Sequence, residues 1–523
     1  VTSRADDAAL PLDALLVEGA LGPRERLLPV GPAVRWGLSA LRSPLTAVGR
    51  AAGLAAELSR IALGVRPAAH TDDPRHADIA WTDAPVPARL LQSHRATRDA
   101  ALGLVDDLAD GDGIDSRDAD RLRFAVSRMA DLLAPGTLPR KGLRALVEDL
   151  ARPPRIPEGR VRPLPGTDTA TAPGAVVRRT EVAELLHYLP ATEQVDEVPV
   201  LIVPGVANSL ALADLAPHRS LVRRLVGDGR QVLALSWNPA AAADLGLDAY
   251  VATVVEAADA AMRICRTDRI TLLGWSTGGL LAMLAAARQA GVVGLVLGGT
   301  AVERDRTPVL PVEDADVRAA VAAATRRGRV RGSDLVTLHA LLCPDELLWP
   351  AWERRYVTGS APDPLRAWNL DARDVPAALF RDLVGGAAEI GDVAADAYLV
   401  AGMADRVGSW QGVYRTSQSL AGKTRFVLVP GSTAAALAGD VGMFRAADAA
   451  VSAGNPADPE RWRAASHAVR GSWWDDLSDW LGERCGAPVD APPELGGRGL
   501  HPIHPAPGTY LQCRAPEGTT GRR

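Results

Sequence analysis

Residues 271–280 read TLLGWSTGGL and set Ser276 in the pattern G-x-S-x-G. An apolar run of Leu and β-branched residues precedes the serine, and an alanine-rich helical pattern follows it. Such a junction suits a nucleophile. A sharp strand-to-helix turn lifts a hydroxyl clear of the chain, and it needs small neighbours. Gly274, Gly278 and Gly279 supply them. The helix that follows brings the positive end of its dipole and the free N–H of Thr277, one donor for an oxyanion. The same residues also fit a glycine-rich strand–helix junction with an inert serine, so the remaining chemistry has to decide.

A serine hydroxyl needs a second oxyanion donor, an acid and a base. PGVAN (204–208) follows an earlier strand pattern, which offers the N–H of Gly205 or Val206; a plain Pro-Gly turn explains the same residues. DAYLVAGMADRVGSW puts Asp405 after a later strand, in the order serine, acid, histidine, although an Asp in such a loop also serves as a helix cap. The base should follow TRFVLVPG, yet the next residues, STAAALAGD, hold no histidine. Only His467, His501 and His504 come after Asp405. The first lies in a helical stretch before GSWWDD, the others in the proline-rich HPIHPAPG. These three are the candidate substitute bases. Of the other six histidines, all precede the elbow except His339, in an inserted segment. In a serine hydrolase, losing the histidine costs on the order of a millionfold in turnover. A thiol would suffer less, because it is partly ionised near neutral pH.

The elements that must position these residues alternate. VPVLIVPG (198–205), QVLALSW (231–237), RITLLGW, VVGLVLGG (292–299), DAYLVAG (396–402) and TRFVLVPG (424–431) read as buried strands. HRSLVRRLVGDG, DAYVATVVEAADAAMRIC and LLAMLAAARQAG read as helices between them. The expected fold class is α/β: an α/β-hydrolase doubly wound, mostly parallel sheet with right-handed crossovers, an inserted cap and a helical N-terminal domain. The division expected is a helical N-terminal domain and linker over 1–160, core over 161–303, cap over 304–390, core again over 391–515 and a tail over 516–523. RSPLTAVGRAAGLAAELSRIAL marks an amphipathic helix in the first part, and ARPPRIPEGRVRPLPGTDTATAPG a linker over 151–174.

The 523 residues are 47% hydrophobic, enough for one large core or several smaller ones. A net charge of -5 gives no footprint for nucleic acid. Lys141 and Lys423 are the only lysines, a bias attributed to a GC-rich coding sequence. Cys265, Cys343, Cys485 and Cys513 show neither zinc nor disulfide spacing, so no metal is expected and a reducing cytoplasm fits. VTSRADDAALPLDALL lacks the basic start and long apolar run of a signal peptide, and the uncharged run near 271–287 reads as strand, elbow and helix rather than a membrane span.

The sequence resembles the polyhydroxyalkanoate synthase family. APGAVVRRTEVAELLHYLPATEQVDEVPVLIVPG, LALSWNPA, DAYVATVVEAADAAMRI and LLGWSTGG follow in that family's order. So do LLCPDELLWPAWERRYVTG, PLRAWNLDARDVPAAL, YLVAGMADRVGSW, FVLVPG, GSWWDDLSDWL and PAPGTYLQCR, and DPRHADIAW resembles its opening. The likeness runs from about residue 70 to 515. It implies polymerisation of hydroxyacyl-CoA thioesters into polyester by a cysteine, aspartate and histidine, with CoA only as acyl carrier and no other cofactor. It also implies pairing through the cap, with a second copy or an active synthase, and a cytoplasmic location at polyester granules. Carried over, the nucleophile falls on Ser276, the aspartate on Asp405 and the histidine on Thr433, or Ala434 if the loop shifts by one. Two of three triad positions therefore depart from the pattern, as does the strand end PGVANSLALADL. Three readings follow: a synthase-like acyltransferase with impaired catalysis, a non-catalytic homologue that pairs with a synthase or binds granules, or a serine esterase or thioesterase.

Overall fold

The computed structural model describes residues 20, 36–37, 44–64, 85–110, 119, 122–127, 130, 164–302, 314–342, 363–385, 393–405, 408–439, 442–447 and 456–512. DPRHADIAW, the linker as far as residue 163, ELLWPAWERRYVTG, Cys343, Cys513 and the 516–523 tail lie outside the described residues.

The described residues centre on one eleven-stranded sheet. Its strands are β1 (Gly174–Arg179), β2 (Ala183–Tyr188), β3 (Val200–Val203), β4 (Val232–Trp237), β5 (Ile270–Trp275) and β6 (Val292–Gly298). They continue as β7 (Asp396–Gly402), β8 (Thr424–Val429), β9 (Met443–Ala446), β10 (His467–Arg470) and β11 (His504–Pro505). The order across the sheet is β10-β9-β8-β7-β6-β5-β3-β4-β2-β1-β11. The six strands from β8 to β4 are parallel. The flanking pairs are antiparallel.

The parallel strands are apolar runs because helices cover both faces. Alternate residues serve separate cores. Leu201, Val203, Leu233, Leu272 and Leu399 meet α4 (Leu247–Cys265) and α5 (Thr277–Ala286) on one face. Val200, Ile202, Ala234, Leu273 and Val400 meet α3 (Leu221–Gly227) and the tryptophan-rich α13 (Trp473–Gly482) on the other. The fold is thus the α/β-hydrolase arrangement expected from the strand–helix rhythm.

Two further helices lie early in the chain, α1 (Pro44–Ala62) and α2 (Pro85–Asp110). The Arg50 guanidinium spans them with two bonds to Asp107, at 2.6 and 2.7 Å. Between β6 and β7 lie α6 (Asp314–Arg327), α7 (Gly332–Leu342), α8 (Pro364–Asn369) and α9 (Ala377–Val384), within the stretch expected as a cap. Asp382 of α9 ties this insertion to the core by accepting the N–H of Leu247 at the start of α4, 3.0 Å.

The sheet's edges differ from the sequence reading. His467 was expected in a helical stretch, but α12 (Pro459–Ala465) ends at Ser466, whose ψ of 152° is extended, and His467 opens edge strand β10. The proline-rich tail docks as β11, where Pro505 sits at an edge that asks nothing of its missing N–H. Glu184 of β2, fully buried, fastens the residues just beyond β11. It accepts from Thr509 Oγ1 at 2.8 Å and Tyr510 N at 3.0 Å, and pairs with Arg179.

Also on β2, His187 is fully buried, and its Nδ1 accepts the N–H of Gly496 at 2.9 Å. Burial holds this imidazole at about 4, below its ordinary 6.5. The folded state therefore binds fewer protons than the unfolded chain between those two values, and stability falls as pH drops from 6.5 to 4. The full loss is on the order of 3 kcal/mol. Urea unfolding of the wild type and of His187→Asn at pH 7.5 and 5 should show a smaller acid loss in the variant. Equal losses would remove His187 as the cause.

Candidate active site

Strand β5 stands in the middle of the eleven, with five strands on each side. The chain crosses from β4 on one side of β3 to β5 on the other, which opens a crevice at the strands' carboxyl ends. Ser276 sits there between β5 and α5, at φ 53° and ψ −127°. Few L-residues hold that conformation. Its N–H donates to Gly298 O at 2.9 Å, and its carbonyl accepts from Gly279 and Leu280, at 3.1 and 3.3 Å. A Cβ on Gly278 would collide with the carbonyls of Val203 and Pro204, and one on Gly279 with Thr300. A Cβ on Gly274 would lie 2.7 Å from the Gly278 carbonyl carbon. All three glycines are therefore fixed by close packing at the elbow.

Of the two N–H groups expected as the second donor, one is already engaged. Val206 N–H is spent on Thr277 Oγ1, at 2.9 Å. The Gly205 carbonyl accepts from Asn208 N at 3.1 Å, and Gly205 is not among the residues lining the cavity at Ser276. Ala207 does line it. Its carbonyl accepts from Arg373 N at 2.8 Å, and its N–H has no acceptor among the described residues. Thr277 N–H, the first of α5, has no intrahelical acceptor either. Thr277 and Ala207 thus both line the cavity with Ser276, and neither N–H has an acceptor among the described residues.

Asp405 follows β7 and lines the same cavity. Its Oδ1 accepts from Gly408 N and its Oδ2 from Thr433 N, both at 3.2 Å. Thr433 opens α11 (Thr433–Leu437) where a histidine would stand. Its hydroxyl accepts the N–H of Gly402 at 2.9 Å, and its methyl stands 3.2 Å from the Cβ position of Gly299. Threonine fills this space and is anchored in it. Ala434 lines the cavity beside it without any basic group.

None of the three candidate substitute bases reaches the site. His467 lies on β10 and His504 on β11, the two outermost strands, each five positions from β5. At roughly 4.8 Å per strand that is about 24 Å. His501, exposed, lies three residues before β11. No residue of the three lines the cavity.

The cavity measures about 140 Å³ and is mostly apolar. Leu212, Trp275, Leu335, Trp368 and Leu437 form much of its wall, with Asn208 and Asn369 among the polar groups. Trp368 is fixed by its indole N–H, which donates to Ser209 O at 3.0 Å. The sequence reading missed one further lining residue, His339. It sits half-buried on α7, one turn beyond Leu335 and Val336. The i, i+4 spacing of Leu335 and His339 was visible in the sequence, but nothing there said which way that face of the insertion would turn. No group of His, Cys, Asp and Glu able to hold a metal occurs among the described residues. Nor is any described helix long and apolar enough to cross a membrane.

Geometry alone leaves the substrate open. Residues 140–225 match the family model described as Poly-beta-hydroxybutyrate polymerase (PhaC) N-terminus, and residues 198–437 match the alpha/beta hydrolase fold. Poly(3-hydroxyalkanoate) polymerase 1 of Ectopseudomonas oleovorans is 30% identical, over 91% of this chain and 93% of its own. The chain belongs to the poly(3-hydroxyalkanoate) polymerase family. Poly(3-hydroxyalkanoate) polymerase 2 of the same organism is 30% identical over 97% of this chain and 98% of its own. The poly(3-hydroxyalkanoate) polymerase subunit PhaC of Cupriavidus necator is 28% identical over 85% and 83%. The family likeness read from the motifs therefore holds across nearly the whole chain, the helical N-terminal part included.

The strain at Ser276 yields a stability test. Ser276→Gly removes the Cβ that disfavours φ 53° and should stabilise the fold by about 1 kcal/mol, while abolishing any labelling at that position. Thermal melts beside Ser276→Ala check it. A Gly variant no more stable than the Ala variant would mean the bend carries no strain.

Proposed function

We propose that this chain is an acyltransferase of the poly(3-hydroxyalkanoate) polymerase kind, in which Ser276 Oγ takes the acyl group from a hydroxyacyl-CoA thioester. CoA acts only as the carrier. The observation that carries the reading is the elbow: a strained serine over two unspent N–H donors, in a chain that aligns end to end with named polymerases. The hydroxyl adds to the thioester carbonyl, the N–H groups of Thr277 and Ala207 hold the oxyanion, and the C–S bond breaks to release CoA. The hydroxyl of a second hydroxyacyl group then attacks the serine ester and lengthens the chain. Turnover is slower than with a complete triad, because Thr433 offers an anchored hydroxyl where the relatives' pattern implies an imidazole. That observation also favours a second reading, a weakly active homologue that pairs with a working synthase through the cap or sits on polyester granules.

Intact mass after incubation with a 3-hydroxyacyl-CoA tests the first reading. One hydroxyacyl group should be gained per chain as one CoA thiol appears, and Ser276→Ala should gain none. Ser276→Cys should acylate on the order of tenfold faster, because a thiol depends less on a base. An unmodified wild type beside an acylated Cys variant would favour the second reading.

A further inference from the structure

We propose that His339, carried over the elbow by helix α7 of the insertion, is the general base for Ser276. The inference rests on the acyltransferase reading above and adds a residue to it. Three observations converge on this histidine. The position expected to hold the base is filled by Thr433, whose hydroxyl is bound to Gly402 N–H. The histidines that follow Asp405 stand on or beside the sheet's two outer edges, about 24 Å away at roughly 4.8 Å per strand. His339 alone among the described histidines lines the cavity into which Ser276 opens.

Helix geometry explains how it gets there. Residues four apart share a face, so Leu335 and His339 project together, with Val336 beside them. All three line the cavity. The imidazole follows this apolar pair one turn later on the helix. Among the described residues, the other titratable side chain in the lining is Asp405, on the sheet side, with each oxygen accepting from a backbone N–H. A carboxylate is ordinarily too weak a base for a serine hydroxyl near neutral pH, whereas an imidazole is suited to it.

The step balances without any added reagent. As Oγ bonds to the thioester carbon, its proton passes to an imidazole nitrogen of His339. When the tetrahedral oxyanion collapses and the C–S bond breaks, the imidazolium returns that proton to the departing sulfur. Because the base rides on the insertion rather than on the sheet, proton transfer depends on where α7 sits. A synthase with its histidine beside Thr433's place would lack that dependence.

The test is the rate at which a fluorophosphonate labels Ser276, read by intact mass across pH 5.5–9 in the full chain. His339→Gln and His339→Phe should label on the order of 10²- to 10⁴-fold more slowly. Both should also lose the rise of rate with pH that a histidine base gives. Added imidazole should restore labelling to His339→Ala, and unchanged melting curves show that the variants fold. Wild-type rates and an unchanged pH profile in His339→Gln would overturn the role of His339 while leaving Ser276 as the acyl acceptor. A slow His339→Ala that imidazole does not rescue would overturn it too, in favour of a packing role. No label on the wild type would overturn both proposals.

Discussion

The backbone at Ser276 is the constraint on which the rest of the molecule turns. A serine at φ 53° and ψ −127° costs about 1–3 kcal/mol, and it persists only where its surroundings leave no alternative. The surroundings are the middle of the sheet. Strand β5 is held on both sides by parallel neighbours, β3 and β6, and Gly298 O on β6 takes the Ser276 N–H at the moment the chain leaves the ladder. Helix α5 must then start without delay, and it starts against backbone. Gly278 lies where any side chain would strike the end of β3, and Gly279 where any side chain would strike Thr300. The glycine pattern, the buried alanine-rich helix and the central placement of β5 all follow from that one bend.

Much of this was legible in the amino-acid order, for a physical reason. Buried parallel strands must be apolar on both faces, so β3 to β8 stand out as short runs of Val, Leu and Ile, and each lies where its run was read. The antiparallel flanks were not read as strands. β9 and β10 are only four residues each, β10 largely exposed, and β11 is two residues containing a proline. Their strand character comes from pairing, not from pattern. His467 was misplaced for that reason: its extended state is set by a partner, Ala446. What occupies the Val206 N–H is a bond to Thr277 Oγ1, 71 residues away, which no local rule reports. The place of His339 depends in the same way on how an inserted helix is laid over the sheet.

On the proposed reading serine stands where the family resemblance implies cysteine, and that changes more than the need for a base. A cysteine-bound acyl group is a thioester, as reactive as the CoA thioester it came from, so loading is nearly level and each extension to an alcohol runs downhill. On serine the order reverses. Loading from CoA releases the thioester's excess free energy at once, and passing the acyl group to another alcohol exchanges one oxygen ester for another at little gain. An elbow serine therefore favours a loaded state over a running polymerisation, whichever group removes its proton. The oxyanion donors proposed above, Thr277 and Ala207, serve both transfers, since each passes through a tetrahedral oxyanion.

Those donors depend on parts of the chain far from the elbow. Four bonds hold the loop 204–208. Trp237 Nε1 donates to Pro204 O at 2.8 Å, Asn208 N to Gly205 O, Val206 N to Thr277 Oγ1, and Arg373 N to Ala207 O at 2.8 Å. The last is the bond that fixes the peptide next to the free Ala207 N–H, and it comes from the insertion. Arg373 is itself braced by the C-terminal segment, its guanidinium donating to Tyr510 O at 3.4 Å and Leu511 O at 3.0 Å. That segment is held in turn by the buried carboxylate of Glu184 on β2, through Thr509 and Tyr510. A line of hydrogen bonds thus runs from a buried strand residue through the tail and the insertion to the oxyanion loop. It gives the proline-rich segment a reason to be ordered at the edge of the sheet: without it, the peptide beside the Ala207 N–H would lose its brace.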